Sequence, residues 1–181
     1  NTGITTTSTL SCSATATDLN DGIPTITYIW TNDTTGVSLG STATITLDSS
    51  SSSPDDVITC RADANDAHGG SDIDSSSVTV INTAPIIDSI TVSPATGVVD
   101  DTLTCVVIAS DPDGTTPTIS YVWSSATGVL GNGSTLLLTQ SNSEPSDTIT
   151  CTATATDSEN GSSSTLFSLN SFYFLNLLNV A

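Results

Sequence analysis

The sequence predicts an all-β protein made of two β-sandwiches in tandem. Three observations support this prediction: short runs of alternating β-branched residues between turn-forming clusters, an internal repeat, and the same order of Cys, Trp and Cys in both copies. β-branched residues favour strands, whereas Gly, Pro, Asn and Asp favour turns. A chain of 181 residues has room for two small domains.

The internal repeat sets the domain boundaries. Residues 24–30 (PTITYIW) recur 93 positions later as residues 117–123 (PTISYVW), and the GST of residues 40–42 recurs as residues 133–135. The repeat predicts a first domain over residues 1–83 and a second over residues 84–171. Residues 172–181 remain as a C-terminal segment without a counterpart.

The cysteines predict one disulfide in each domain. Four cysteines allow three pairings, but only pairing within each copy gives both copies the same bridge. A zinc site would need closely spaced ligand pairs, which this sequence lacks. Disulfides indicate an oxidising, extracellular location. The predicted bridges and the core tryptophans beside them are Cys12–Cys60 with Trp30, and Cys105–Cys151 with Trp123.

The order of Cys, Trp and Cys among short strands resembles an immunoglobulin-like sandwich over nearly the whole chain. Antibody domains carry Tyr two residues before the second Cys, where this chain has Ile58 and Ile149. The turns at residues 20–22 (NDG) and 111–114 (DPDG) are similar to those of tandem PKD-like or cadherin-like modules of microbial surface proteins. The resemblance implies a module of an extracellular stalk, adhesin or fibre.

Composition excludes several functions. The net charge is −18, with one Arg and no Lys, so the chain cannot form the basic surface that nucleic acids or anionic membranes require. His68 is the only imidazole and lies in a Gly-rich turn, and Arg61 is expected to pair with a nearby Asp. We therefore expect no enzyme, no small-molecule substrate and no membrane insertion.

Each cysteine is followed by an Asp at the sixth position. In an immunoglobulin-like topology the two Cys strands run the same way, so these acidic loops emerge at one end of each sandwich. Clustered carboxylates without cations are typical of Ca²⁺ sites, although Asp side chains also cap turns, and both interpretations remain open. The candidate calcium ligands are Asp18, Asp21, Asp66, Asp111, Asp113 and Asp157.

Three positions match the acceptor pattern for N-glycosylation: Asn32, Asn132 and Asn160. Serine runs such as residues 49–53 are candidates for O-linked sugars or, equally, ordinary hydrophilic loops. The sequence predicts no required cofactor; calcium and N- or O-linked glycans are the additions that it allows.

The two copies differ at their ends. The second copy is preceded by residues 84–94, where the alternation of Ile86, Asp88, Ile90 and Val92 predicts a first strand. The first copy begins at the position that follows this strand, so we expect its sandwich to lack an N-terminal edge strand. A sandwich without this strand exposes an apolar groove.

The C-terminal segment is the candidate occupant of such a groove in another subunit. A groove and its donor at opposite ends of one molecule form a heterologous contact, which builds an open filament when it does not close. Chaperone–usher pili use similar logic, and the chain also resembles protomers of environmental extracellular glycofibrils. The predicted partner is an identical subunit, and the donor residues are Phe172, Phe174, Leu175, Leu177, Leu178 and Val180.

Two other interpretations of the segment are open: the chain is one period of a longer repeat polyprotein, or the segment is a local last strand of the second domain.

Donation of the segment to another subunit predicts, as the main function, a structural subunit of an extracellular filament or cell-surface appendage. The alternative is a calcium-dependent adhesive or stalk module of a larger cell-surface protein.

Overall fold

A computed structural model describes residues 3–20, 22–144 and 146–170, which contain strands and turns but no helix. No part of this described chain therefore forms a helix that could span a membrane. The chain divides into two compact units. Unit 1 extends to Thr83 and includes Pro112–Gly114, and unit 2 comprises Ala84–Asp111 and continues from Thr115.

Unit 1 is a sandwich of two antiparallel sheets. The larger sheet has the order β3-β2-β5-β6, and the smaller sheet has only β1 and β4. A single parallel bridge joins Ile4 to Val80 at the end of the larger sheet. The strands are β1 (Thr9–Ser11), β2 (Thr25–Asn32), β3 (Val37–Gly40), β4 (Thr44–Thr46), β5 (Val57–Asn65) and β6 (Ser71–Thr79).

Unit 2 repeats this arrangement with one more strand. Its larger sheet has the order β10-β9-β12-β13, and its smaller sheet has the order β11-β8-β7. The additional strand, β7, precedes the repeat and pairs with β8. The strands are β7 (Ile86–Ser93), β8 (Thr102–Ser110), β9 (Thr118–Ser125), β10 (Gly128–Asn132), β11 (Thr135–Leu137), β12 (Thr148–Thr156) and β13 (Ser162–Asn170). The all-β sandwich class predicted from the sequence is confirmed.

Both disulfides expected from the repeat are present. They join the two sheets of each sandwich, with Cα–Cα separations of 6.3 Å for Cys12–Cys60 and 6.5 Å for Cys105–Cys151. A disulfide that closes a loop of this length stabilises a small domain by roughly 2–4 kcal/mol. Each bridge therefore compensates for the small core of its unit.

A buried Trp lies in each core. Trp30 is 3% exposed and Trp123 is fully buried, and both pack in the cluster that contains the disulfide of their unit. The indole Nε1–H of Trp30 donates to the Thr42 carbonyl, and that of Trp123 donates to the Gly133 carbonyl, each at 2.9 Å. These bonds satisfy the polar atom of an otherwise apolar side chain, as burial requires.

The first strand of unit 2 differs from the predicted alternation. A bulge between Ile87 and Ser89 changes which side chains face the core, so Ile87 is half-buried whereas Ile86 is 52% exposed. Ile90 and Val92 face the core as predicted. An extra residue in one strand shifts the alternation beyond it, which explains the difference.

Candidate interaction groove

Unit 1 lacks a counterpart of β7 in the described chain. In unit 2, β8 pairs with β11 on one side and with β7 on the other. The corresponding β1 spans only Thr9–Ser11 and pairs with β4. Residues 12–18 nevertheless keep a strand-like alternation, since Ala14 and Ala16 are half-buried whereas Ser13 and Thr15 are exposed. This segment is extended chain without the partner that would make it a strand.

Backbone hydrogen bonds show which side of this segment is open. The N–H of Cys12 donates to the Ala43 carbonyl, just as the N–H of Cys105 donates to the Ser134 carbonyl, both at 2.8 Å. Successive residues of a strand direct their backbone groups to opposite sides. Ser11, Ser13 and Thr15 therefore direct theirs to the side that β7 occupies in unit 2. Such an unpaired edge is a template for another strand.

Side-chain exposure leads to the same conclusion. Val78 of β6 is 40% exposed, whereas Leu169, at the equivalent position of β13, is 5% exposed. Ser76 is exposed at the position where Phe167 packs on the core of unit 2. The inner face of β6 is thus exposed, since no strand among the described residues covers it as β7 covers the equivalent face of unit 2.

Two adjoining cavities follow this open face, and together we call them the groove. The first has a volume of about 240 Å³ and lies over Leu10, Cys12, Trp30, Cys60 and Val78. The second has a volume of about 410 Å³, and its lining includes Ala14, Ala16, Ile26, Ala62 and Ala64. The floor of both cavities is formed largely by small or apolar side chains, whereas the second cavity also has a polar rim of Asp, Ser and Thr side chains. The groove can therefore accept the larger apolar side chains of an added strand.

Carboxylates also line the second cavity. Its lining includes Asp18, Asp66, Asp72 and Asp74, so the acidic loops that contain Asp18 and Asp66 border the same cavity. The Asp18 carboxylate accepts the Asn20 N–H at 2.7 Å, and Asp66 accepts the N–H groups of His68 and Gly70, each at 2.8 Å. These carboxylates cap turns, the second of the two roles that the sequence left open.

The other candidate calcium ligands also make hydrogen bonds within their units. Asp111 accepts the Thr115 hydroxyl at 2.9 Å, and Asp157 accepts the Gly161 N–H at 2.7 Å. The Asp113 carboxylate, which belongs to unit 1, accepts the Thr6 hydroxyl and the Thr83 N–H, each at 2.6 Å. Asp21 lies outside the described residues. Within the described ranges no three His, Cys, Asp or Glu side chains are grouped to hold a metal ion, and calcium stays a prediction.

Hydroxyl groups stabilise carboxylates on a chain that has almost no cations. Hydrogen bonds from the Thr59 and Thr31 hydroxyls lower the pKa of Asp33, and hydrogen bonds from Ser50 lower the pKa of Asp48. The single Arg61 pairs with Asp63 at 2.7 Å, as expected from the sequence. Hydrogen bonds to the charged form of a carboxylate favour ionisation, so the abundant Ser and Thr partly replace Lys and Arg.

The structure corrects one predicted glycosylation site. Asn32 is fully buried, and its amide Nδ2 donates to Asp56 at 2.6 Å and to the Ser51 carbonyl at 3.2 Å. An N-linked sugar needs this same nitrogen and a path to solvent, so Asn32 cannot carry one in the folded unit. Asn132 and Asn160 are exposed, and glycosylation there stays a prediction.

Asn32→Ala is expected to destabilise unit 1 by about 1–3 kcal/mol, because it removes the buried hydrogen bonds from Asn32 to the Asp56 carboxylate and the Ser51 carbonyl. Asn132→Ala removes an exposed side chain and is the matched control, with an expected change below about 0.5 kcal/mol. Chemical denaturation of both variants measures the difference. Equal stabilities would show that the Asn32 network contributes little.

The predicted donor residues, from Phe172 to Val180, lie outside the described residues, and their role as a donor strand stays a prediction.

The lining of the groove includes residues that the sequence analysis did not identify, such as Ala14, Ala62 and Val78. A position-by-position comparison of the two copies gives part of this signal, because Ser76 replaces Phe167 and Ala14 replaces Val107 at inward positions.

Comparisons with known proteins add little to this geometry. No protein-family model matches the sequence, and no curated protein matches it either. A solved structure described as the three N-terminal domains of the bacteriophage RB49 Highly Immunogenic Outer Capsid protein (Hoc) is similar to this chain, with 17% identity and a TM-score of 0.36. The match covers 93% of this chain and spans about half, 55%, of that structure.

Proposed function

We propose that the protein is a non-enzymatic structural subunit of an extracellular filament. The C-terminal segment of one subunit enters the groove of unit 1 in the next and completes its smaller sheet. The observation that supports this most strongly is the unpaired edge beside an open groove with a largely apolar floor, at the position that β7 occupies in unit 2. Within the described residues, the smaller sheet thus has three strands in unit 2 and two strands in unit 1.

The composition of the segment suits this role. All six predicted donor residues are apolar, and residues 172–181 contain no charged side chain. Burial of apolar surface contributes roughly 25 cal/mol per Å², and the backbone of an added strand also gains hydrogen bonds along the edge. Donor and groove are different surfaces of one chain, so the contact is heterologous and extends into a filament.

The remaining features fit an extracellular filament of immunoglobulin-like modules. Two disulfides strengthen small sandwiches in an oxidising environment. The net charge of −18 keeps the assembly soluble, and glycans at Asn132 and Asn160 would add to the hydrophilic surface. Each of these features supports a passive, durable structure rather than a catalyst.

Deletion of residues 172–181 is expected to abolish filament formation and to leave unit 2 folded. The deletion removes the donor but none of the described strands, which end at Asn170. Electron microscopy measures assembly, and hydrogen exchange across β8 and β12 measures the folding of unit 2. A chain with residues 172–181 in scrambled order is the matched control for length and composition, and it should also fail to assemble. Filaments formed by the deletion variant would contradict the proposal.

Mass spectrometry of native filaments under denaturing and reducing conditions separates strand exchange from a covalent polyprotein. Exchange between subunits predicts a species near 18.3 kDa plus the mass of any glycans. A ladder of multiples, or one very large chain, would mean that the strand is supplied through the same polypeptide. In that case the groove is filled but the subunit model is wrong.

A further inference from the structure

The proposed function leaves open how the donor strand sits in the groove, and the following inference rests on that function. We infer one register: residues 174–181 take the place that β7, Ile86–Ser93, takes in unit 2. Aligned without a gap, FLNLLNVA lies against IIDSITVS. The register then follows from the spacing of apolar residues, the bulge in β7 and the pairing of β7 with β8.

The spacing of the core-facing residues is the first argument. In β7 these residues are Ile87, Ile90 and Val92, separated by three and then two positions. A regular strand cannot place residues three apart on one face, because its side chains alternate. The bulge between Ile87 and Ser89 makes this spacing possible.

The C-terminal segment has the same irregular spacing. Leu175, Leu178 and Val180 stand at the positions of Ile87, Ile90 and Val92. The two positions of β7 that carry Asp88 and Thr91 carry Asn176 and Asn179 in the segment, so polar residues also match polar residues. A bulge at Asn176 would place all three apolar side chains on the core face.

The pairing of β7 then gives the partners in the groove. Val92 lies opposite Cys105, Ile90 opposite Val107, and Ile87 opposite Ala109 in the ladder with β8. The repeat offset of 93 converts these β8 positions into Cys12, Ala14 and Ala16 of unit 1. These three residues line the groove, with Cys12 in the first cavity and both alanines in the second.

The register therefore assigns each apolar side chain to a cavity. Val180 covers the smaller cavity over the Cys12–Cys60 bridge and Trp30, and Leu178 and Leu175 enter the larger cavity. The larger cavity has Ala14 where unit 2 has Val107. The smaller side chain on the acceptor leaves room for the longer reach of Leu, compared with Ile90 in unit 2. The donor strand also runs antiparallel to residues 11–16, as β7 does to β8.

Engineered disulfides test the register directly. In unit 2 the outward residues Thr91 and Ser89 lie opposite Val106 and Ile108, which correspond to Ser13 and Thr15 of unit 1. The inferred register places Asn179 opposite Ser13 and Leu177 opposite Thr15. Directly opposed residues fall within the roughly 4.4–6.8 Å of Cα separation that a disulfide needs, whereas diagonal neighbours are about 7–8 Å apart.

Chains carrying Ser13→Cys with Asn179→Cys, or Thr15→Cys with Leu177→Cys, are expected to form covalent multimers when assembled filaments are mildly oxidised. Ser13→Cys with Leu177→Cys is the register control and should cross-link at least tenfold less. Each single-cysteine chain controls for random oxidation. Peptide mapping of the product by mass spectrometry confirms that the new cysteines, rather than the native bridges, have joined.

The outcomes separate the register from strand donation itself. The register would be wrong if the filaments cross-link through the Ser13→Cys and Leu177→Cys pair, or if none of the cysteine pairs cross-links. Either result would still be compatible with donation of the C-terminal strand. Absence of filaments from the wild-type chain under all conditions would instead count against the proposed function. If a cysteine variant does not assemble, a cysteine-containing peptide of residues 171–181 added to the deletion chain gives the same comparison of pairs.

Discussion

Ala14→Asp is expected to stop filament assembly while leaving the monomer folded. Ala14 is half-buried on the floor of the groove, and a new side chain there projects into open space in the isolated subunit. Entry of a donor strand would bury the carboxylate in a cavity that already has four Asp side chains at its rim and no cation in its lining. Burial of an unpaired charge costs several kcal/mol, and 3 kcal/mol already corresponds to roughly a hundredfold weaker association.

Ser41→Asp is the control for this substitution. It adds the same charge to unit 1, but Ser41 is exposed in the turn between β3 and β4 and lines neither cavity. We expect Ser41→Asp filaments to form with a critical concentration within a few fold of wild type. Sedimentation measures the critical concentration, and circular dichroism checks the fold of both monomers. Equal assembly of the two variants would show that the floor of the groove is not an interface.

Removal of the Cys12–Cys60 bridge is expected to unfold unit 1 of the monomer, whereas removal of Cys105–Cys151 should leave unit 2 largely folded. Either double Cys→Ala variant loses about 2–5 kcal/mol. We expect unit 1 to have a smaller free energy of unfolding than unit 2, because its smaller sheet has two described strands instead of three and the inner face of β6 is exposed. The unequal result follows from the missing strand and not from the bridges, which close loops of similar length.

Hydrogen exchange read by mass spectrometry resolves the two units in one experiment. Rapid exchange over β2 and β5 with slow exchange over β9 and β12 is the expected pattern for the Cys12→Ala, Cys60→Ala monomer. Assembly into filaments should restore part of the protection in unit 1, because a bound strand stabilises the folded form by mass action. Similar exchange in both units of both variants would contradict this account.

Much of the fold follows from the repeat. Two copies of one Cys, Trp and Cys pattern predicted two sandwiches, and residues 84–94, which precede the second copy, predicted the additional strand β7 of unit 2. Both features depend on residues that are close in sequence or repeated, so one sequence is enough to predict them. The region of the groove was therefore predictable, but the side chains that line it were not.

Features that depend on tertiary contacts were not predictable. The Asn32 sequence matches a glycosylation pattern, but its burial depends on Asp56 and Ser51, which reach it from a distant loop. The bulge in β7 is likewise invisible in a simple alternation of Ile86, Asp88, Ile90 and Val92. Local pattern identifies strands, whereas partners across the sandwich decide which side chains become buried.

The inner face of β6 has a consequence for the subunit before it assembles. Asp72 and Asp74 lie opposite Ala64 and Ala62, on the face that borders the groove, where β13 has Ser163 and Thr165. An open strand edge invites pairing with any extended chain, and inward charges are one way in which proteins prevent this. For the proposed subunit we therefore expect these two carboxylates to disfavour pairing of foreign extended chains with the open edge before assembly.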